Sequence, residues 1–257
     1  MKQETGFSKG LPILFVGILV GIWELLVRWT HTPLYILPSP SKVLIRFVSD
    51  LPTLVQHAKV TLLETILGLV LATALAFVIA IFMDVCPTLR KALYPILIAT
   101  QTIPVIVLAP IFIIYLGFGL APKVLTVVLM CFFPITIPFA DALAEQDSRR
   151  ENLLRSMGAP RWKLYTLVKI PGSLPAFFSG LKLAATYSIS GAVVGEWLSS
   201  NSGLGYYMLR VKNGYMLDKV FASVLMVALL SFLMTMVVTL LAQRMIKPPR
   251  RKRRKLS

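Results

Sequence analysis

Three carboxylates, Glu64, Asp141 and Glu196, stand inside long apolar runs of this sequence. Ionised side chains are rare in such runs, and each is a functional candidate by default. Around Glu196 the chain is rich in small and polar residues, from Ser179 and Gly180 through Ala184, Ala185 and Thr186 to Gly191, Ala192 and Gly195. Within that stretch Tyr187 offers a ring for stacking and a hydroxyl, and Glu196 offers an acceptor for a cationic or amino-bearing edge. Tyr187, Ser188, Ser190, Glu196 and Glu64 are therefore the candidates for contact with a small solute. The same small residues equally suit close helix packing, and Glu196, near the end of its run, equally suits a hydrated position.

Covalent and metal chemistry find no pattern to rest on. HExxH and GxSxG are absent, Cys86 and Cys131 form no CxxC, and His31 and His57 form no cluster, each reading as an ordinary lone histidine. There is no G-x-x-x-x-G-K-[ST] loop, so ATP hydrolysis by that chemistry is excluded. The expectation is a non-enzymatic chain with no cofactor or metal of its own.

The elements that must carry these residues follow from composition. Of 257 residues 56% are hydrophobic and 15% charged, and the net charge is +16. A soluble domain carries about a quarter of its residues charged, so a soluble globular protein is the wrong class. Spans of roughly 20 apolar residues cross a bilayer. Six such runs read off the sequence: 11–29, 60–83, 92–116, 122–143, 177–199 and 220–243. The first has Trp23 and Trp29 at its far end and no small-x-small cleavage site, so it reads as a retained span rather than a signal peptide.

The basic residues choose an orientation. With the N-terminus inside, eighteen Lys and Arg fall on the inner side, including Lys2, Lys9, Arg90, Lys91, Arg244 and the tail 247–257. Eight fall outside: Arg28, Lys42, Arg46, Lys59, Lys123, Arg210, Lys212 and Lys219. Positive-inside counting thus predicts both termini in the cytoplasm, with the tail against anionic lipid and not nucleic acid. Pro95, Pro104, Pro110, Pro134 and Pro138 predict kinked spans. The stretch 38–58 has helical apolar spacing and is expected to lie along the outer interface.

One loop, 144–176, is long and charged yet carries apolar residues. Leu153, Leu154 and Met157 share a face of a helix starting near Ser148, which Gly158 breaks. Ala159-Pro160 opens a second helix bearing Trp162, Tyr165 and Val168, ended by Pro171 and Pro175. Such a hairpin suits a groove on a partner protein, or equally the inner membrane surface.

This loop resembles the signature of ABC-importer permeases, E-A-A-x-x-x-G, nine residues, then I-x-L-P. Asn152-Leu153-Leu154-Arg155-Ser156-Met157-Gly158 and then Val168-Lys169-Ile170-Pro171 match its glycine, proline and spacing. The family's Glu falls on Asn152, with Glu151 one place earlier, and its alanines fall on Leu153 and Leu154. Leu174-Pro175, Phe178 to Ala184, Gly195-Glu196-Trp197 and Gly203-Leu204-Gly205 extend the likeness. The chain from about Leu11 to Gln243 is similar to the branch serving nitrate, sulfonate, taurine and thiamine-precursor importers. Arg155 to Ala159 and Phe177 to Trp197 are most similar to permeases for hydroxymethylpyrimidine.

The resemblance implies an all-α polytopic bundle of about six transmembrane helices, of the type I importer kind. It implies one permease domain over 1–257, with its core at 60–243, and a permease homodimer. It also implies an ABC ATPase that holds the ATP and Mg, and an extracytoplasmic binding protein. Asn152, Leu153, Leu154, Arg155, Met157, Gly158, Ala159, Arg161 and Pro171 are the implied ATPase contact. The solute is expected to be a hydroxymethylpyrimidine-like compound, with sulfonate, taurine or nitrate as the alternative. From residues alone an ion-coupled secondary transporter is the rival, and it would need paired intramembrane charges or related repeats.

Overall fold

The structure, a computed structural model, describes residues 7–146 and 148–246. Lys2 and the basic tail 247–257 lie outside the described residues. Regular structure within them is entirely helical. In chain order it comprises α1 (Phe7–Trp29), α2 (Pro40–Ser49), α3 (Leu51–Val85), α4 (Pro87–Thr100), α5 (Val105–Leu116) and α6 (Leu120–Ala144). There follow α7 (Ser148–Ser156), α8 (Arg161–Leu164), a π-helical turn Tyr165–Lys169, α9 (Ile170–Ser199), α10 (Leu204–Asn213) and α11 (Leu217–Met245). Five stretches are long and apolar enough to cross a membrane, and α4 with α5 makes a sixth if the bent pair is one span.

The centre is α3, α6 and α9, packed through small residues. Ala72, Ala76 and Ala80 recur every four residues on α3 and are fully buried. Gly191 of α9 sits so close to α6 that an added Cβ would lie 3.1 Å from the Val127 Cα. Gly180 faces the Pro134 carbonyl of α6. That carbonyl lacks a helical partner because Pro138, four residues on, has no N–H, and a glycine lets a neighbouring backbone close over it. The rings of Phe77, Phe139 and Phe177, 5.1 to 5.9 Å apart, lock the three helices toward the α7 end. The outer helices are tied by charge: Glu24 accepts from the Ser41 N–H and hydroxyl at 2.9 and 2.8 Å, joining α1 to the start of α2. Arg46 of α2 donates to Asp218 of α11 at 2.6 Å.

The expected kink in the run 92–116 is a sharp one, α4 and α5 meeting at 103°, and four other expectations need correction. The chain turns through Gln101–Ile103, and Pro104, in extended conformation, starts α5 without an N–H to continue α4. The stretch 38–58 is not one interfacial helix. It divides at Asp50 because Pro52 in the first turn of α3 restarts the helix, so its second half belongs to that 35-residue element. Pro171 and Pro175 do not end the second loop helix, which runs on as α9. The π turn widens the backbone immediately before Pro171, where its ring would otherwise meet the Leu167 carbonyl. That register shift also undoes the predicted Trp162-Tyr165-Val168 face: Trp162 is exposed, Tyr165 half-buried and Leu164 buried. Lys123, counted outside, is 6% exposed and points into the bundle from the first turn of α6.

Candidate functional site

A groove of about 490 Å³ opens between the bent α4–α5 pair, α6 and α9. Thr100, Gln101, Phe132, Phe133, Met130 and Tyr187 line it with aliphatic residues, and no lining residue is charged. The bent pair walls this space, with Thr100, Gln101 and Ile103 at the 103° bend and Val105 and Leu108 beyond it. Tyr187 is 42% exposed, its ring on the groove wall. Ser190, three residues on, is exposed. Ser188 faces the bundle interior, where its hydroxyl donates to the Ala185 carbonyl at 2.8 Å. Of the predicted contact residues the structure therefore brings Tyr187 alone to the groove lining. An aromatic-rich, uncharged groove with an amide and two hydroxyls can stack and hydrogen-bond a flat neutral solute.

Glu64 and Glu196 occupy a different place, a buried polar cluster joining α3, α6 and α9 to the start of α10. Glu196, 1% exposed, accepts from the Thr61 hydroxyl at 2.6 Å and from the Gly205 N–H at 2.5 Å. The Thr61 oxygen in turn accepts from the Leu204 N–H at 2.8 Å, and His57 Nδ1 accepts from the Gly203 N–H at 3.1 Å. Thus the free N–H groups of the first turn of α10 are satisfied by side chains of α3 and α9. His57, read from sequence as a lone histidine, is part of this clasp and stacks on Tyr207 with ring centres 5.0 Å apart. Tyr207 donates to Asp50 at 2.5 Å, and burial followed by that carboxylate pushes its phenol above the usual range, keeping it a donor. Glu196 is therefore enclosed rather than hydrated.

Glu64 is fully buried and ion-paired with Lys123, whose ammonium also donates to the Ser200 hydroxyl at 3.1 Å. The second Glu64 oxygen has no donor among the described residues. Gly205 is required by proximity, since an added Cβ would lie 2.5 Å from the Val193 carbonyl. Backbone cannot yield there as a side-chain tip can. Gly205→Ala is expected to lower stability by about 2 kcal/mol, an overpacking cost read as a fall in the detergent melting temperature.

At the opposite end of α3 and α6, α7 presents Leu153 and Met157, 63% and 73% exposed and one helical turn apart. Asn152, Arg155, Arg161 and Pro171 are exposed, Leu154 and Ala159 half-buried. Gly158 has φ +72, a left-handed turn that ends α7. Glu151 turns inward, 3.6 Å from Lys169 and 3.9 Å from Arg155. Lys169 reaches both Asp84 oxygens, at 2.9 and 2.7 Å, and the Tyr165 hydroxyl donates to Asp84 at 2.5 Å. Asp141 of α6 accepts from Arg90 at 3.0 Å and Tyr94 at 2.9 Å, fixing α4. Sequence reasoning missed Asp84, Lys123, Thr61 and Lys169. The available signal was charge at odds with place, an Asp in the last turn of an apolar helix and a Lys in the first turn of another.

Residues 68–247 match the family described as binding-protein-dependent transport system inner membrane component. The chain is 38% identical over 223 residues to the formylaminopyrimidine transport permease protein ThiX of Halalkalibacterium halodurans, covering 86% of this chain and 89% of that one. It is 32% identical to the riboflavin transport system permease protein RibX of Chloroflexus aurantiacus, covering 93% and 90%. To the taurine transport system permease protein TauC of Escherichia coli it is 26% identical, covering 91% and 88%. Among solved structures it is similar in fold to a chain of an amino acid ABC transporter crystallised with histidines, with TM-score 0.59 at 14% identity, covering 77% and 95%.

Proposed function

This chain belongs to the family of binding-protein-dependent transport system inner membrane components, and from that premise we propose that it carries a neutral, planar heteroaromatic solute of the thiamine-pyrimidine class into the cell. It is a multi-pass transport subunit, and ATP is hydrolysed by a separate ABC ATPase. The observation that carries the solute class is the groove at Tyr187, aromatic-rich and free of charge. A sulfonate or nitrate needs a cationic or strongly donating site, and no residue lining the groove is charged. The relatives named for formylaminopyrimidine and riboflavin, both flat heterocycles, are more similar to this chain than the one named for taurine.

In this reading two copies of the chain form the path, an extracytoplasmic binding protein delivers the solute near α10, and both termini are cytoplasmic. Leu153 and Met157 are the apolar contact with the ATPase, with Asn152, Arg155 and Arg161 at its rim. Leu154 and Ala159 seat the helix, Gly158 makes the turn, and Pro171 starts the lever that becomes α9. ATP-driven closure of the ATPases would switch the bundle between inward- and outward-facing states. The test is uptake of labelled hydroxymethylpyrimidine by cells carrying Tyr187→Ala. Loss of one stacking face should raise KM about three- to tenfold with the amount of permease unchanged. An unchanged KM would remove Tyr187 from the path.

A further inference from the structure

At the junction of α3, α4 and the π turn, Asp84, Tyr165, Lys169 and Glu151 make a compact clasp away from both the groove and the exposed face of α7. Asp84 lies in the last turn of α3, the end of a helix where a carboxylate opposes the dipole. Its side chain is 5% exposed, and those of Lys169 and Glu151 are 12% and 16% exposed, so the cluster is shielded from bulk water. Tyr165 and Lys169 are the first and last residues of the π turn, four apart and so on one face of the helix. Both therefore reach the same carboxylate, and the Lys169 ammonium also lies 5.4 Å from the centre of the Tyr165 ring. An Asp in this position is locally unfavourable for its own helix, and a π turn is a rare conformation that concentrates at functional places.

What the clasp connects is more telling than its composition. On one side, Glu151 belongs to α7, two residues before Leu153, and Lys169 leads into α9. On the other, Asp84 is three residues before Pro87, where the chain leaves α3 and begins α4. Helix α4 is held to α6 by Arg90 and Tyr94 on Asp141, and it ends at Thr100, with Gln101 following, both on the groove wall beneath the 103° bend. A displacement of α7 thus has a charged, water-shielded link to the pivot of the segment that walls the groove.

We infer that Asp84 and Lys169, with Tyr165 as their brace, are positioning residues that transmit movement of the ATPase-contacting helix to the α3–α4 pivot and so set how much solute moves per ATP. The inference rests on the reading that the Leu153–Met157 face meets the ATPase. Ion pairs of this kind have two discrete arrangements, made and broken, which suits a two-state switch.

The experiment uses the complete transporter, purified through a tag on this chain and reconstituted with its binding protein. ATPase recovery, ATP hydrolysis and uptake of labelled hydroxymethylpyrimidine are measured on the same preparations. Asp84→Asn and Lys169→Gln should retain the ATPase in normal amount while uptake per ATP falls about tenfold, within the range of a coupling free energy. The exchange Asp84→Lys with Lys169→Asp, made together with Glu151→Gln so that no carboxylate opposes the new aspartate, should recover most of that loss, since the pair is restored and a lysine suits the end of α3. Uptake per ATP equal to the unmodified transporter in both single variants would overturn the inference. So would loss of the ATPase in those variants, which would make the clasp a support for docking only, or an exchange variant no better than the singles. Failure of the docking reading shows separately, as normal ATPase recovery when Leu153 and Met157 are replaced.

Discussion

Aspartate at both Leu153 and Met157 is expected to abolish recovery of the ATPase with this chain and to bring solute uptake to background. Both side chains stand largely clear of the protein's own core, at 63% and 73% exposure, so their replacement removes little internal packing. Burial of each against a partner is worth about 1.5–3 kcal/mol, and a carboxylate in its place adds a desolvation cost. The combined loss exceeds about 4 kcal/mol, or roughly a thousandfold in affinity. Copurification from membranes, with the amount of permease checked by immunoblot, measures it. Full recovery of the ATPase would move the contact elsewhere. Gly158→Asp separates the turn from the face. Among the described residues, none beyond its two chain neighbours comes within 4 Å of an added Cβ, so its main cost within the chain is the strain of φ +72, about 1–2 kcal/mol. A complete loss of uptake in that variant therefore also points to the partner side.

Lys123→Met has the second largest expected effect, on stability. It leaves the Glu64 carboxylate fully buried with no cation, beside the buried Glu196. Removing one member of a buried pair costs about 3–5 kcal/mol, which should appear as a sharply lower melting temperature in detergent and less protein in the membrane. Changing Glu64 to Met as well removes the stranded charge, and the double variant should recover most of the loss, because apolar replacement of a whole buried pair is close to neutral. A single variant as stable as the unmodified chain would show that the pair contributes nothing to holding α3 against α6.

The long apolar runs were legible because a bilayer demands length and composition, and the helices α3, α6, α9 and α11 contain the runs read from sequence. Gly158 was legible for a similar reason: a left-handed turn has few residue choices. The bend at Gln101–Pro104 was not, since prolines at 95, 104 and 110 all permit kinks and only packing on α6 selects one. Lys123 misled because a basic residue before an apolar run counts as flanking charge. That counting cannot see that Glu64, 59 residues earlier, waits for it inside the bundle. Glu196 misled in the opposite sense. Its carboxylate looked available to a solute, while Thr61 and the Gly203-Leu204-Gly205 turn already take up both oxygens. The buried Lys123–Glu64 pair is also one of the two features named for an ion-coupled transporter, paired charge inside the bundle. Membership of the binding-protein-dependent family assigns the chain to the other class.

The most direct test of the account is uptake by the reconstituted transporter, with its ATPase and binding protein, of labelled hydroxymethylpyrimidine against labelled taurine. ATP is supplied in one arm and ion gradients alone in another. The account predicts pyrimidine uptake that requires ATP and is not reduced by excess taurine. Uptake of taurine in preference to the pyrimidine, or pyrimidine uptake driven by an ion gradient without ATP, would contradict it.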